Sequence, residues 1–111
     1  MRGVNKVILV GNLGKDPEVQ TLNENVKVAK FSLATTESYK DENGQTHANT
    51  EWHTIILWRG LADLAEKYLR KGSMIYLEGK LKTRFFEDKE RNKRYVTEII
   101  GEQIVLFDKK E

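Results

Sequence analysis

Apolar and polar side chains alternate with a period of two along three separate stretches of this chain, residues 26–36, 51–58 and 73–87, whereas one stretch alone carries a helical period. Successive side chains on a strand point to opposite faces, so such a chain must pack several half-buried strands around a common interior. In Glu51-Trp52-His53-Thr54-Ile55-Ile56-Leu57-Trp58 the alternation sets Trp52, Thr54, Ile56 and Trp58 on one face and His53, Ile55 and Leu57 on the other. The second set is apolar enough to be the core side, so the tryptophans are not needed to fill the interior. Two readings of them stay open at this point: core or subunit-contact residues, the common fate of a Trp, or flat outward platforms suited to stacked bases.

The other elements follow in order. Val4 to Val10 is a β-rich apolar segment, and Gly11-Asn12-Leu13-Gly14-Lys15-Asp16-Pro17 reads as its turn. Val26 to Thr36 places Ala29, Phe31 and Leu33 opposite Lys30, Ser32 and Ala34, a second strand. Glu37 to Thr50 is polar and turn-forming, without apolar periodicity, and reads as a long mobile hairpin loop. Leu61, Leu64, Ala65, Tyr68 and Leu69 recur at helical spacing, with Asp63 near the start, Arg70 and Lys71 in the last turn and Gly72 as a left-handed stop. Ser73 to Glu87 alternates again, with Ile75, Leu77 and Leu81 opposite Lys80, Lys82, Arg84 and Phe86. A charged turn over 88–93 leads into a last strand, Arg94 to Phe107, broken by a bulge at Gly101. The order β-β-β-α-β-β predicts an all-β fold with one helix: an OB-fold, the five-stranded Greek-key barrel, with its helix between strands 3 and 4.

A single domain fits 111 residues, and no repeat or linker divides it. The chain has no cysteine, so it has no disulfide framework and no thiolate chemistry, a usage that suits a reducing, cytoplasmic setting. The apolar run Val7 to Val10 is far shorter than a signal h-region or a membrane span, so no membrane association is expected. A net charge of +2 says little by itself, but residues 80–94 hold seven basic side chains against three acidic ones. A charge run alone is usually a solvated hairpin. Here it coincides with aromatics, and that combination suits single-stranded nucleic acid: bases stack on the rings, Lys and Arg follow the phosphates, and a duplex would hide its base faces.

Enzymatic readings fare poorly. Gly11-Asn12-Leu13-Gly14-Lys15-Asp16 has two residues between its glycines where a phosphate loop needs four, and an Asp where that loop needs Ser or Thr. His47, Glu51 and His53 match no compact metal-site spacing. No nucleophile and base pair stands out, and neither a cofactor nor a metal is expected.

These same residues resemble the bacterial single-stranded DNA-binding protein family. The likeness runs from Arg2-Gly3-Val4-Asn5-Lys6-Val7-Ile8-Leu9-Val10-Gly11-Asn12-Leu13-Gly14-Lys15-Asp16-Pro17 through Leu33-Ala34-Thr35-Thr36-Glu37-Ser38, Thr50-Glu51-Trp52-His53 and Tyr68-Leu69-Arg70-Lys71-Gly72-Ser73 to Tyr76-Leu77-Glu78-Gly79-Lys80-Leu81-Lys82-Thr83-Arg84. The resemblance implies a homotetramer, a dimer of dimers, around which single-stranded DNA wraps during replication, recombination and repair in the cytoplasm, at the nucleoid. It implies stacking at Tyr39, Trp52, Trp58 and Phe86, and phosphate contacts at Arg2, Arg59, Lys71, Lys80, Lys82 and Arg84. His53 matches a subunit-contact position. The family often has Trp where this chain has Tyr39 and Phe86, and commonly Phe in place of Trp58. The domain is expected to span 1–108. Residues 109–111 stand where the family continues into a Gly/Pro/Gln-rich linker and an acidic partner-docking tip, so tail-mediated recruitment has no support in these residues. The competing readings are a primosome-type accessory protein acting as a dimer, an assembly module whose aromatic face is buried between subunits, and an RNA-specific OB domain.

Overall fold

The inward residues of each alternating stretch find one another. In the computed structural model, which describes residues 2–107, the elements are β1 (Val7–Leu13), β2 (Glu18–Thr21), a short 3-10 turn (Asn23–Asn25), β3 (Lys27–Lys40), β4 (Thr46–Trp58), α1 (Gly60–Tyr68), β5 (Met74–Glu87) and β6 (Lys93–Leu106). Leu33, Ile55, Leu57, Leu69, Ile75 and Leu77 are wholly removed from solvent and form the centre of the core. Each such side chain contributes about 1.5–3 kcal/mol by burial, so the interior is furnished by the residues that alternation places there.

The strands close into a barrel. β1 pairs with β5, β5 with β6, β6 with β4, β4 with β3, and β3 returns to β1 through Asn12↔Ala34 and Leu13↔Leu33. All these ladders are antiparallel except β4 with β6, which is parallel through Ile55↔Ile99 and Ile56↔Ile100. The result is the five-stranded OB barrel with its helix between the third and fourth barrel strands. β2 adds a sixth strand on the free edge of β3 alone. It escapes a periodicity reading because it is four residues long and only Val19 is apolar.

Four further expectations are corrected. The first strand runs through Gly11 to Leu13 instead of turning there, because its end must reach β3 to close the ring. The polar stretch 37–50 is no long loop: pairing continues to Tyr39↔His47 and Lys40↔Thr46, leaving a tight turn at 41–45. Apolar periodicity is missing there because the arm projects past the barrel and offers neither face to the core. Tyr68 is exposed, and the helix presents Ala62 and Ala65 instead, small residues that let it sit close against the barrel's end. Leu81, assigned by alternation to the core face, is 49% exposed because it lies where the β5–β6 arm leaves the barrel. The bulge falls beside Gly101 as expected: Glu78 faces Gln103 and Gly79 faces Gly101, so Glu102 is the extra residue.

α1 is tied down at both ends. Lys27 Nζ donates to Asp63 Oδ1 (2.7 Å) and Glu66 Oε1 (2.6 Å), and these carboxylates, Asp63 foremost, push its pKa up to about 12. At the other end the Arg70 guanidinium donates to the carbonyls of Glu66 and Leu69, which the last turn leaves without helical partners.

The two hairpin arms end in the same turn. In β3–β4, Asp41 Oδ1 accepts the N–H groups of Asn43 and Gln45, both at 2.9 Å, while Oδ2 meets His47 at 2.8 Å. In β5–β6, Asp88 Oδ1 accepts from Glu90 and Asn92, both at 2.9 Å, while Oδ2 takes a bond from Arg94 at 3.0 Å. The left-handed position is Gly44 (φ 78°) in one turn and Arg91 (φ 64°) in the other. Gly44→Ala is expected to cost about 1 kcal/mol and Arg91→Gly to add about 0.5 kcal/mol, read by urea unfolding. Both aspartates titrate below the ordinary carboxyl value, Asp41 chiefly through its bond to His47 and Asp88 chiefly through the backbone N–H of Asn92. Their stabilisation is thus present above about pH 4 and lost as the pH falls through the folded-state values. An Asp41→Ala/Asp88→Ala protein should melt below the wild type at neutral pH, with the gap closing on acidification.

Candidate nucleic-acid interface

With Ile55 and Leu57 turned inward, β4 has a second face to spend. Trp52 is 60% exposed and Trp58 42% exposed, and both look outward with Thr54 and Ile56. Register extends this face sideways. Ile56 lies beside Lys30 of β3 on one side and Ile100 of β6 on the other, and Ile100 in turn faces Lys80 of β5. Trp58 stands beside Val28, and Lys82 faces Glu98. The barrel's curvature makes the face a groove with an apolar floor of Val28, Ile56 and Ile100, one aromatic wall at Trp58 and a basic wall of Lys80, Lys82 and Arg84.

Phe86 continues the same face of β5 outward along the arm, opposite Arg94. Tyr39 does not share it. Counting by twos from Phe31 and Leu33 places Tyr39 on the core-side pleat of the other arm, where its ring stacks on His47 with centroids 5.3 Å apart. Arg59 follows Trp58 directly, in an unusual backbone conformation (φ 57°, ψ −118°) that starts α1. The Lys71 N–H is held by Asp16 Oδ1 at 2.7 Å, on the loop that also carries Gly14. Asn5 exchanges two hydrogen bonds with the Leu81 backbone, both 2.9 Å, which sets the segment bearing Arg2 beside the root of the β5–β6 arm. His53 lies half-buried on the inner face of β4, with Nε2 2.9 Å from Thr35 Oγ1.

Among the described residues no three His, Asp or Glu side chains converge as metal ligands, and His47 is engaged with Asp41 and Tyr39. Nor is any helix among them long and apolar enough to cross a membrane.

A comparison with protein families matches residues 4–107 to the single-strand binding protein family. The chain belongs to that family. Among solved structures, a Plasmodium falciparum single-strand binding protein in complex with single-stranded DNA is similar at 36% identity and a TM-score of 0.89, covering 97% of this chain and 98% of that one. A deletion mutant of the Thermus aquaticus single-stranded DNA-binding protein is similar at 27% identity and a TM-score of 0.82, covering 96% of this chain and 52% of that longer one.

Family motifs did not single out three features of the face and one on the other side of its arm. Lys30 joins the groove from β3, and was legible as the polar side of an alternating strand. Glu98, 5% exposed, lies in the groove and takes both ends of a fork from Arg84, Nε to Oε1 at 3.1 Å and Nη2 to Oε2 at 3.2 Å. Arg84, expected as a phosphate contact, is thus already paired within the groove. Phe85 and Tyr95 make an exposed aromatic pair on the far side of the arm, centroids 6.0 Å apart. Gly14 is the bed of Trp52: a Cβ there would lie 2.5 Å from the indole Cζ3. The indole is the part free to yield, so Gly14→Ala is expected to leave the melting temperature within a few degrees of wild type while changing the Trp52 emission. An unchanged spectrum would mean that the ring does not rest there.

Proposed function

We propose that the protein binds single-stranded DNA without sequence preference, along the groove that runs over β3, β4, β6 and β5. The observation that carries this reading is the pair of outward tryptophans on β4, Trp58 sharing its groove with Lys30, Lys80 and Lys82, on a barrel of the single-strand binding family. Bases stack on Trp52, Trp58 and Phe86, and Tyr39 offers a separate stacking site on the opposite pleat of the β3–β4 arm, beside His47. Lys30, Lys80, Lys82 and Arg84 take the phosphates along the groove, and Arg2, Arg59 and Lys71 take them at its margins. Stacking reads a π-face that every base has, which gives affinity without sequence, while released counterions make that affinity fall with salt.

The proposed assembly is a homotetramer, a dimer of dimers, with His53 at a subunit contact. Two observations support it. The edge of β1 over Val7 to Val10 faces no strand of its own barrel, since β3 meets only Asn12 and Leu13. The outer face beside it exposes Ile8, Val10 and Val105 around Tyr76 and the Lys6–Glu78 ion pair. Assembly can use that face and leave the tryptophans free, which disfavours the reading in which they are buried between subunits. Wrapping DNA in replication, recombination and repair, in a cytoplasmic, nucleoid-associated setting, is the role that fits. Binding without catalysis is all this role asks of the chain.

Trp52→Ala should weaken binding to oligothymidine by about 1–3 kcal/mol in an anisotropy titration, with the mass by light scattering still that of a tetramer. An unaltered affinity would remove Trp52 from the site. A dimer mass would point to the accessory-protein reading.

A further inference from the structure

Glu98 is the one buried charged side chain among the described residues, and it stands in the groove among apolar and basic groups, the other acidic lining residue, Glu18, being exposed on β2 beside Gln20. A carboxylate there is doubly costly, removed from water and set under an approaching polyanion. For packing alone an aliphatic residue like the neighbouring Ile100 or Val96 would serve. What Glu98 does is hold Arg84. Its two oxygens accept Nε–H and an Nη2–H at 3.1 and 3.2 Å, a fork that fixes the guanidinium plane. The Arg84 side chain is still 52% exposed, so its remaining N–H groups face solvent. Lys80 and Lys82, by contrast, are exposed cations on flexible stems.

Resting on the reading that this groove binds single-stranded DNA, we propose that Glu98 is a positioning residue that turns Arg84 into a fixed, charge-compensated donor to an oxygen of the bound strand. Glu98 serves as Arg84's permanent counter-ion. When DNA arrives, Lys80 and Lys82 exchange salt ions for phosphate, and their share of the affinity fades as salt rises. Arg84 has no mobile ion to release, so its contribution is directional and persists at high salt. The groove thus carries two kinds of contact side by side, one salt-sensitive and one not.

The test is the salt dependence of affinity for an oligothymidine of roughly 8 nucleotides, short enough for one barrel. It compares the wild type with Lys82→Ala, Glu98→Gln and the double variant Arg84→Ala/Glu98→Gln, each first checked for a wild-type thermal melt. Lys82→Ala should make the slope of log K against log salt shallower by about 0.7, the value of one single-strand phosphate contact. The double variant removes the ion pair without leaving a bare carboxylate, so it should weaken binding by about 10-fold at every salt concentration, with the wild-type slope kept. Glu98→Gln alone keeps an acceptor but frees the charge of Arg84, so the slope should steepen by about 0.7. A slope for the double variant as shallow as that of Lys82→Ala, or an unchanged slope for a folded Glu98→Gln, would overturn the inference. Should Glu98→Gln fail to fold, the double variant, which strands no unpaired charge, decides alone. A wild-type protein that does not bind the oligonucleotide would instead strike down the parent reading.

Discussion

The pleat of β4 keeps two demands on one strand apart. Ile55 and Leu57 are fully buried, while Trp52 and Trp58 stand in solvent on the other face of the same strand. A slip of one residue in the register with β3 would exchange the two sets, moving both indoles inward and two core residues out. That register is held along the whole β3–β4 ladder, from Val28↔Trp58 to Lys40↔Thr46, and by the parallel pairs with β6. Everything proposed for the outer face depends on that lock, because the groove's walls are set by which residues stand beside Ile56.

The arms and the groove solve different problems with similar chemistry. At both arm tips an aspartate satisfies the turn's N–H groups with one oxygen and steadies a β-strand side chain with the other. In the groove, Glu98 steadies Arg84 with both oxygens. In each case a carboxylate sets geometry instead of attracting a partner from solution. The net charge of +2 is therefore a poor guide to the surface: much acidic charge is spent internally, and Lys30, Lys80 and Lys82 remain along the groove.

The barrel and its tryptophans were readable from alternation because burial on one face of a strand leaves a period of two, and Ala29, Phe31, Leu33, Ile55, Leu57, Ile75 and Leu77 obey it. Where neither face is buried the signal vanishes, which is why the paired stretches 37–40 and 46–50 read as loop. β2 was too short to show a period. The partner of Arg84 was hidden for another reason: alternation assigns Glu98 to the outer face but says nothing of how deep that face is, and depth came from barrel curvature. The contact of Trp52 with Gly14 joins residues far apart in sequence, so nothing local announced it. Tyr39 shows the converse, since its place on the inner pleat follows from counting by twos, yet family likeness alone grouped it with Trp52.

The most direct test of the central claim is the intrinsic tryptophan fluorescence of the protein titrated with a long oligothymidine and, in parallel, with a duplex of equal length. If Trp52 and Trp58 lie under stacked bases, the single strand quenches strongly and the duplex does not, and added salt shifts the midpoint to higher DNA concentration. Equal quenching by both would contradict stacking on unpaired bases, and none by either would return the tryptophans to a role in contacts between subunits.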